Sequence, residues 1–153
     1  MLEENKDEIL KLENQLCFPL YACSKEVVRI YKPFLDKLDL TYTQYLTMMV
    51  MWEHKEINSK LLGNYLYLDS GTLTPLLKKL EVKGYITRTR AQEDERNLVV
   101  RLTLEGEKLK DDAIKVPEEL GRSLQMDKDD VKNLYTLLYK VLGKISELNY
   151  KAK

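Results

Sequence analysis

Four leucines constrain this chain more than any other feature. Leu73, Leu76, Leu77 and Leu80 recur at helical spacing between Asp69, a helix-capping residue, and Gly84, a helix-ending one. One face of the predicted helix is apolar, and the other carries Thr72, Thr74, Lys78, Lys79 and Lys83. Taken alone, this is an ordinary surface helix with a solvated basic face. Its flanks change that reading. Before it, Asn58 caps a short helix with Ile57 and Leu62 as a hydrophobic staple, ending near Tyr67. After it, Tyr85–Arg90 alternates in strand fashion, AQEDER (Ala91–Arg96) is a polar tip, and Asn97–Leu102 alternates again with Leu98, Val100 and Leu102 on one side. From Leu61 to Thr103 the chain therefore reads as helix, turn, helix and charged hairpin, a winged helix-turn-helix.

Such a unit is suited to duplex DNA. Ser70, Thr72 and Thr74 at the start of the second helix have the size and polarity to meet base edges in a major groove, and Lys78 and Lys79 to meet phosphates. Arg88, Arg90, Arg96 and Arg101 place further positive charge on the hairpin. Between Lys78 and Arg101 seven Lys or Arg stand against four Asp or Glu, whereas the whole chain carries 25 of each sign. The asymmetry is local, as expected where one face meets a polyanion. Pro75 is expected near the first turn of the helix, where a missing amide is tolerated.

The flanks read as helices. Leu12, Leu16, Leu20, Val27, Ile30 and Phe34 fit one long helix from Asp7 to about Asp36, kinked in the turn before Pro19 and ended or bent at Pro33. Thr41 and Gln44 form a capping box that starts a nearly all-apolar helix from Tyr42 to about Glu53, with Leu40 packing on Tyr45. Thr103 caps a helix from Leu104 to about Val116, broken by Pro117 and Gly121. Asp127 caps the last helix, on which Val131, Leu134, Leu137, Leu138, Val141, Leu142, Ile145 and Leu148 form a continuous stripe. A stripe of that length needs a partner. The two ends are expected to pack together and form a homodimer, the alternative being that they bury each other within one chain, and in the dimer two reading helices lie ~34–36 Å apart on a pseudo-palindromic operator. The expected class is mainly α with a small β-hairpin wing. A winged helix-turn-helix at residues 41–105 is flanked by dimerisation helices at 1–40 and 106–153.

Composition excludes several other classes. No apolar run approaches the ~18 residues of a membrane span, and the acidic start does not resemble a secretion signal, so a cytoplasmic protein with no membrane partner is expected. Two cysteines and one histidine make no metal cluster. No phosphate loop or Ser/His/Asp set marks an enzyme, and no cofactor is called for.

The run DERNLVVRLTLEG (Asp94–Gly106) is similar to the D-x-R wing and L-T-x-x-G of MarR-type regulators. LENQLCFPLYACSKE, Tyr31, KPFLDKL, LTYTQYL and LYLDSGTLTPLLKKLE resemble the organic hydroperoxide resistance regulators (OhrR) of that family. The resemblance covers about Leu12 to Gly106 and loosens in the last third. It implies a dimeric repressor that binds double-stranded DNA and releases its operator when an organic hydroperoxide oxidises one cysteine. Matched motif to motif, Cys17 is the sensing cysteine, and Tyr31 and Tyr42 are the tyrosines that contact it in the dimer, with Tyr21 as a further support. Ser70, Thr72, Thr74, Lys78, Lys79, Arg88, Arg90, Asp94 and Arg96 form the DNA surface, Arg96 reaching the minor groove.

The residues themselves add two points. Tyr31 lies ~21 Å along a helix from Cys17, so it cannot touch that sulfur in the same chain without a fold-back, and a partner subunit running antiparallel could present it instead. Cys23, six residues on, is ~9 Å away and ~120° around the helix, beyond the ~7 Å that a disulfide allows. Family members with two working cysteines carry the resolving one in the C-terminal half, and this chain has no cysteine after Cys23. The expectation is a one-cysteine sensor, oxidised to a sulfenate and then joined to a low-molecular-weight thiol. Two alternatives stand beside it. One is a MarR-type repressor released by a small aromatic or phenolic ligand, with Cys17 a packing residue. The other is a thiol peroxidase with an incidental wing.

Overall fold

The computed structural model describes residues 6–90 and 98–151. Along the chain these form α1 (Lys6–Ile9), a 3-10 turn (Leu12–Asn14), α2 (Cys17–Asp36), α3 (Tyr42–His54), β1 (Glu56–Asn58), α4 (Ser59–Leu66) and α5 (Ser70–Val82). There follow β2 (Ile86–Arg90), β3 (Leu98–Leu102), α6 (Leu104–Ala113), α7 (Lys115–Leu124) and α8 (Lys128–Lys151). The chain divides into two compact units, Met1–Pro117 and Glu118–Lys153.

The first unit is assembled around α3. Its capping box is formed, with the Thr41 side chain accepting from the Gln44 amide and the Gln44 side chain accepting from the Thr41 amide at 3.0 Å. Tyr45, Met48, Met51 and Trp52 of α3 are buried against Leu62 of α4, Leu73, Leu77 and Leu80 of α5, Ile86 of β2 and Val100 of β3. The leucine pattern of α5 thus supplies the floor of the helix-turn-helix. The hairpin is larger than the sequence pattern indicated, because β1 joins it in a three-stranded antiparallel sheet of order β1-β3-β2. In the β1–β3 register Glu56 lies opposite Arg101, and the two form an ion pair at 2.6 Å.

Four sequence expectations change. The single helix from Asp7 to Asp36 is instead α1, a 3-10 turn and α2. Helix α2 begins at Cys17, so Pro19 occupies its first turn, where an amide has no intrahelical acceptor. Pro33 does not end α2, which continues to Asp36. Pro75 is the sixth residue of α5, beyond the first turn, and the helix accommodates it at the cost of one backbone hydrogen bond. The helix expected to reach Val116 stops at Ala113, and α7 starts at Lys115, holds Pro117 in its first turn and passes through Gly121 to Leu124.

The second unit contains α8. Asp127 caps it, its side chain accepting from the Asp129 amide at 2.8 Å. The stripe residues Val131, Leu134, Leu137, Leu138, Ile145 and Leu148 are exposed on the single chain, and Tyr135 stacks on Tyr139 with ring centroids 4.5 Å apart.

Candidate nucleic-acid interface and redox site

Asp69 fixes the start of α5. Its carboxylate accepts from the Thr72 amide at 2.9 Å and from the Thr72 hydroxyl at 3.1 Å, and these bonds hold the carboxyl below its ordinary pKa. The turn before it is set by Tyr67 in the left-handed conformation and by the Leu68 amide donating to the Gly63 carbonyl at 2.9 Å. An alanine Cβ at Gly63 would lie 2.9 Å from the Leu68 carbonyl oxygen, so the two helices of the motif meet only through a glycine. With α5 so placed, Ser70, Gly71, Thr72, Thr74, Lys78 and Lys79 are all exposed on the face opposite the leucines.

Within that face the roles divide. The Thr74 hydroxyl donates to the Ser70 carbonyl at 2.7 Å and the Thr72 hydroxyl to Asp69, so both are oriented by their own helix. Lys78 and Lys79 have no ion-pair partner among the described residues. Between α3 and α5 lies a groove of about 280 Å³, lined by Thr41, Thr43, Gln44, Leu68, Thr72, Pro75, Leu76 and Lys79.

The hairpin arginines do not act alike. Arg90 is exposed at the end of β2. Arg88 is engaged with Glu81 of α5. Its Nε and Nη2 donate to Glu81 Oε2 at 3.0 and 2.6 Å, and its backbone amide donates to Oε1 at 2.9 Å. Arg101 bonds Glu56 at 2.6 and 3.1 Å and the Thr89 hydroxyl at 2.6 Å, so it ties the three strands together. The positive surface read from the sequence therefore includes two arginines whose charge is matched within the sheet and its helix. Asp94, Arg96 and the polar tip lie outside the described residues.

The redox candidates fall into two places. Cys17 is exposed at the first position of α2, amid exposed Leu12, Leu16, Phe18 and Leu20. A small buried hydrophobe, the packing role for this cysteine, is not what the single chain shows. Tyr21 is exposed one turn further along. Tyr31 and Tyr42 are brought together across α2 and α3, with ring centroids 4.9 Å apart. Both belong to the same 117-residue unit as Cys17, yet Tyr31 sits ~21 Å along the same helix from the sulfur. The sequence reading missed a third member, Tyr45, whose ring lies 6.0 Å from that of Tyr31 and 6.3 Å from Trp52. Burial raises the pKa of all three phenols. They stay protonated, as hydrogen-bond donors, throughout the neutral range. Among the described residues no acceptor takes the Tyr31 or Tyr42 hydroxyl. Cys23 is also exposed, on α2. No group of His, Cys, Asp and Glu among the described residues is arranged to hold a metal, and no described helix is long and apolar enough to cross a membrane.

The family model for transcriptional regulators of the SarA/Rot type matches residues 29–113. The chain is similar to the organic hydroperoxide resistance transcriptional regulator of Bacillus subtilis, with 47% identity over 146 residues, covering 95% of this chain and 99% of that protein. It is 42% identical, over the same shares of both chains, to the HTH-type transcriptional regulator SarZ of Staphylococcus saprophyticus. Its fold matches that of AbfR of Staphylococcus epidermidis, solved in the reduced state bound to DNA, with a TM-score of 0.74 and 33% identity over 92% of this chain and 98% of that one. On sequence identity along nearly its whole length, a matching family model and a shared fold, the chain belongs to the SarA/Rot transcriptional regulators, MarR-type winged-helix proteins of the organic hydroperoxide resistance kind.

Proposed function

We propose that this protein is a cytoplasmic, homodimeric repressor that binds a pseudo-palindromic DNA operator and releases it when an organic hydroperoxide oxidises Cys17. The observation that carries the reading is the pairing of an exposed α5 face, bearing Ser70, Thr74, Lys78 and Lys79, with an exposed sulfur at the start of α2. Residues 41–105 read the DNA, and segments 1–40 and 106–153 join the two subunits. Arg90 reaches phosphate from the sheet, while Asp94 and Arg96 enter through the family resemblance.

The apolar side chains around Cys17 match an organic peroxide better than hydrogen peroxide. At the sulfur, a thiolate attacks the peroxide's terminal oxygen, giving the sulfenate and releasing the alcohol. Protonated to the sulfenic acid, the sulfenate condenses with a low-molecular-weight thiol, losing water and leaving a mixed disulfide. Tyr31 and Tyr42 of the partner subunit donate hydrogen bonds at this centre. The adduct does not fit the interface that the thiolate occupied, and the reading heads leave register. Moving the operator from nearly full to nearly empty takes a differential of about 5 kcal/mol, which two clashes of about 1–3 kcal/mol, one at each sulfur of the dimer, approach.

In a gel shift on its own upstream DNA, wild-type protein releases the duplex after cumene hydroperoxide, and Cys17→Ser binds but does not release. Release by the serine variant would remove Cys17 from the mechanism. A second reading has support in a mostly apolar cleft of about 270 Å³ between α2 and α3, lined by Val28, Arg29, Lys32, Leu35, Asp36, Leu40, Thr41 and Tyr42. A small aromatic acid seated there would release the DNA without oxidation, and release by salicylate but not by peroxide selects that reading.

A further inference from the structure

We infer that Glu81 and Arg88 form a lock that sets the angle between the reading helix and the wing, so that Arg88 governs operator specificity as a positioning residue and not as a phosphate contact. The inference rests on the proposed DNA-binding role of α5 and the hairpin.

The lock sits at the edge of the sheet. In the order β1-β3-β2, strand β2 pairs on one side only, and Arg88 lies opposite Val100 of β3. The Arg88 amide points away from the sheet, and Glu81 Oε1 accepts it at 2.9 Å. Meanwhile Glu81 Oε2 accepts two guanidinium hydrogens of the same residue, at 3.0 and 2.6 Å. One carboxylate from the last turn of α5 thus holds both the backbone and the side chain of a single strand residue. Three bonds to one rigid group fix a direction as well as a distance. The Arg88 side chain is 18% exposed and that of Glu81 35%, so much of the pair is shielded from water, and the guanidinium holds the Glu81 carboxyl below the usual carboxylate range.

The pair also has no slack around it. Gly84, with φ of 79°, makes the turn between α5 and β2, and Ile86 is 1% exposed beneath the sheet. Helix, turn and strand are therefore closed into an eight-residue loop, Glu81–Arg88, with a buried anchor at one point and a charged clasp at the other.

The two roles for Arg88 give opposite expectations for its partner. If Arg88 neutralised a phosphate, Glu81 would be a competing anion, and its removal would tighten every duplex. If Arg88 positions the wing, removing Glu81 weakens the operator complex although a negative charge has been taken away. The test measures operator and unrelated-duplex affinity across a salt series for the reduced full-length protein and for Glu81→Ala, Arg88→Ala, Arg88→Lys and the double alanine variant. The expected result is a loss of about tenfold for the operator in each single variant, Arg88→Lys included because ammonium lacks the fork. The double variant is then no worse than the singles, because they break one unit, and the unrelated duplex and the slope of log affinity on log salt change little. Melting curves identify any variant that is unfolded, and Arg88→Lys keeps the test decisive if the alanine variants fail. Tighter binding by Glu81→Ala, or full operator affinity for Arg88→Lys, overturns the inference. Absence of DNA binding by the wild-type protein would instead overturn the proposed function beneath it.

Discussion

At the residue scale, Gly106 shows what the L-T-x-x-G signature is for. Thr103 caps α6 by accepting from the Gly106 amide at 3.0 Å, and its hydroxyl donates to the Gly84 carbonyl at 2.6 Å. The Gly106 carbonyl in turn accepts from the Trp52 indole at 2.8 Å. This draws the start of α6 onto the turn that follows α5, and an alanine Cβ at 106 would lie 2.2 Å from the Tyr85 carbonyl oxygen. Backbone cannot yield as a side-chain tip can. Gly106→Ala is expected to lower the unfolding free energy by roughly 2–3 kcal/mol in urea titration. A change within about 0.5 kcal/mol, the range of an inert surface substitution, would show that α6 shifts without strain. The same glycine was legible as a motif residue, but its purpose was not, because Tyr85, Trp52 and Gly84 meet it only in three dimensions. Tyr45 was read only as the packing partner of Leu40 for a related reason: along the sequence it is one of many apolar positions of α3, and only packing places its phenol beside Tyr31.

At the scale of elements, caps were legible and packing partners were not. Thr41, Asn58, Asp69, Thr103 and Asp127 all cap the helices expected of them, since a cap is a contact between residues two or three apart. Strand β1 has three residues, too few for an alternation to be read from them, and it exists because β3 offers it a free edge. The break before α2 was misplaced by a similar limit. Apolar spacing continued through residues 12–16, whereas Asn14 and Gln15 side chains bond the Glu8 and Ile9 carbonyls and close α1 off.

The Asp69 cap carries a pH prediction for α5. Its carboxyl titrates below the ordinary value of 3.8 because the Thr72 amide and hydroxyl favour the charged form. A depressed folded-state pKa stabilises above that ordinary value and loses its effect as pH falls through the folded one. Asp69→Asn keeps an acceptor but does not titrate. The stability advantage of the wild type over Asp69→Asn should therefore be present at pH 6 and shrink towards pH 3, read by urea unfolding at each pH. An advantage independent of pH would mean that the carboxylate charge adds nothing to the cap.

At the scale of the whole molecule, the apolar residues exposed on α8 and around Cys17 point to a chain that works as a pair. The sequence showed the α8 stripe and assigned it to a homodimer, with burial on the first helix of the same chain as the alternative. Helix α2 makes the pairing a matter of chemistry as well as of burial. Cys17 opens α2 and Tyr31 lies fourteen residues along the same helix, so in the mechanism we propose each oxidation centre borrows its phenol from the other subunit. A mixed dimer therefore obeys the logic of complementation. With Cys17→Ser in one subunit and Tyr31→Phe in the other, the surviving sulfur still meets an intact tyrosine and oxidises at the wild-type rate. With both changes in a single subunit and none in its mate, the surviving sulfur faces phenylalanine and reacts slowly. Two hybrids of identical composition would thus differ in behaviour solely by which mutation rides on which chain, and equal rates in both would mean that the phenol is not borrowed.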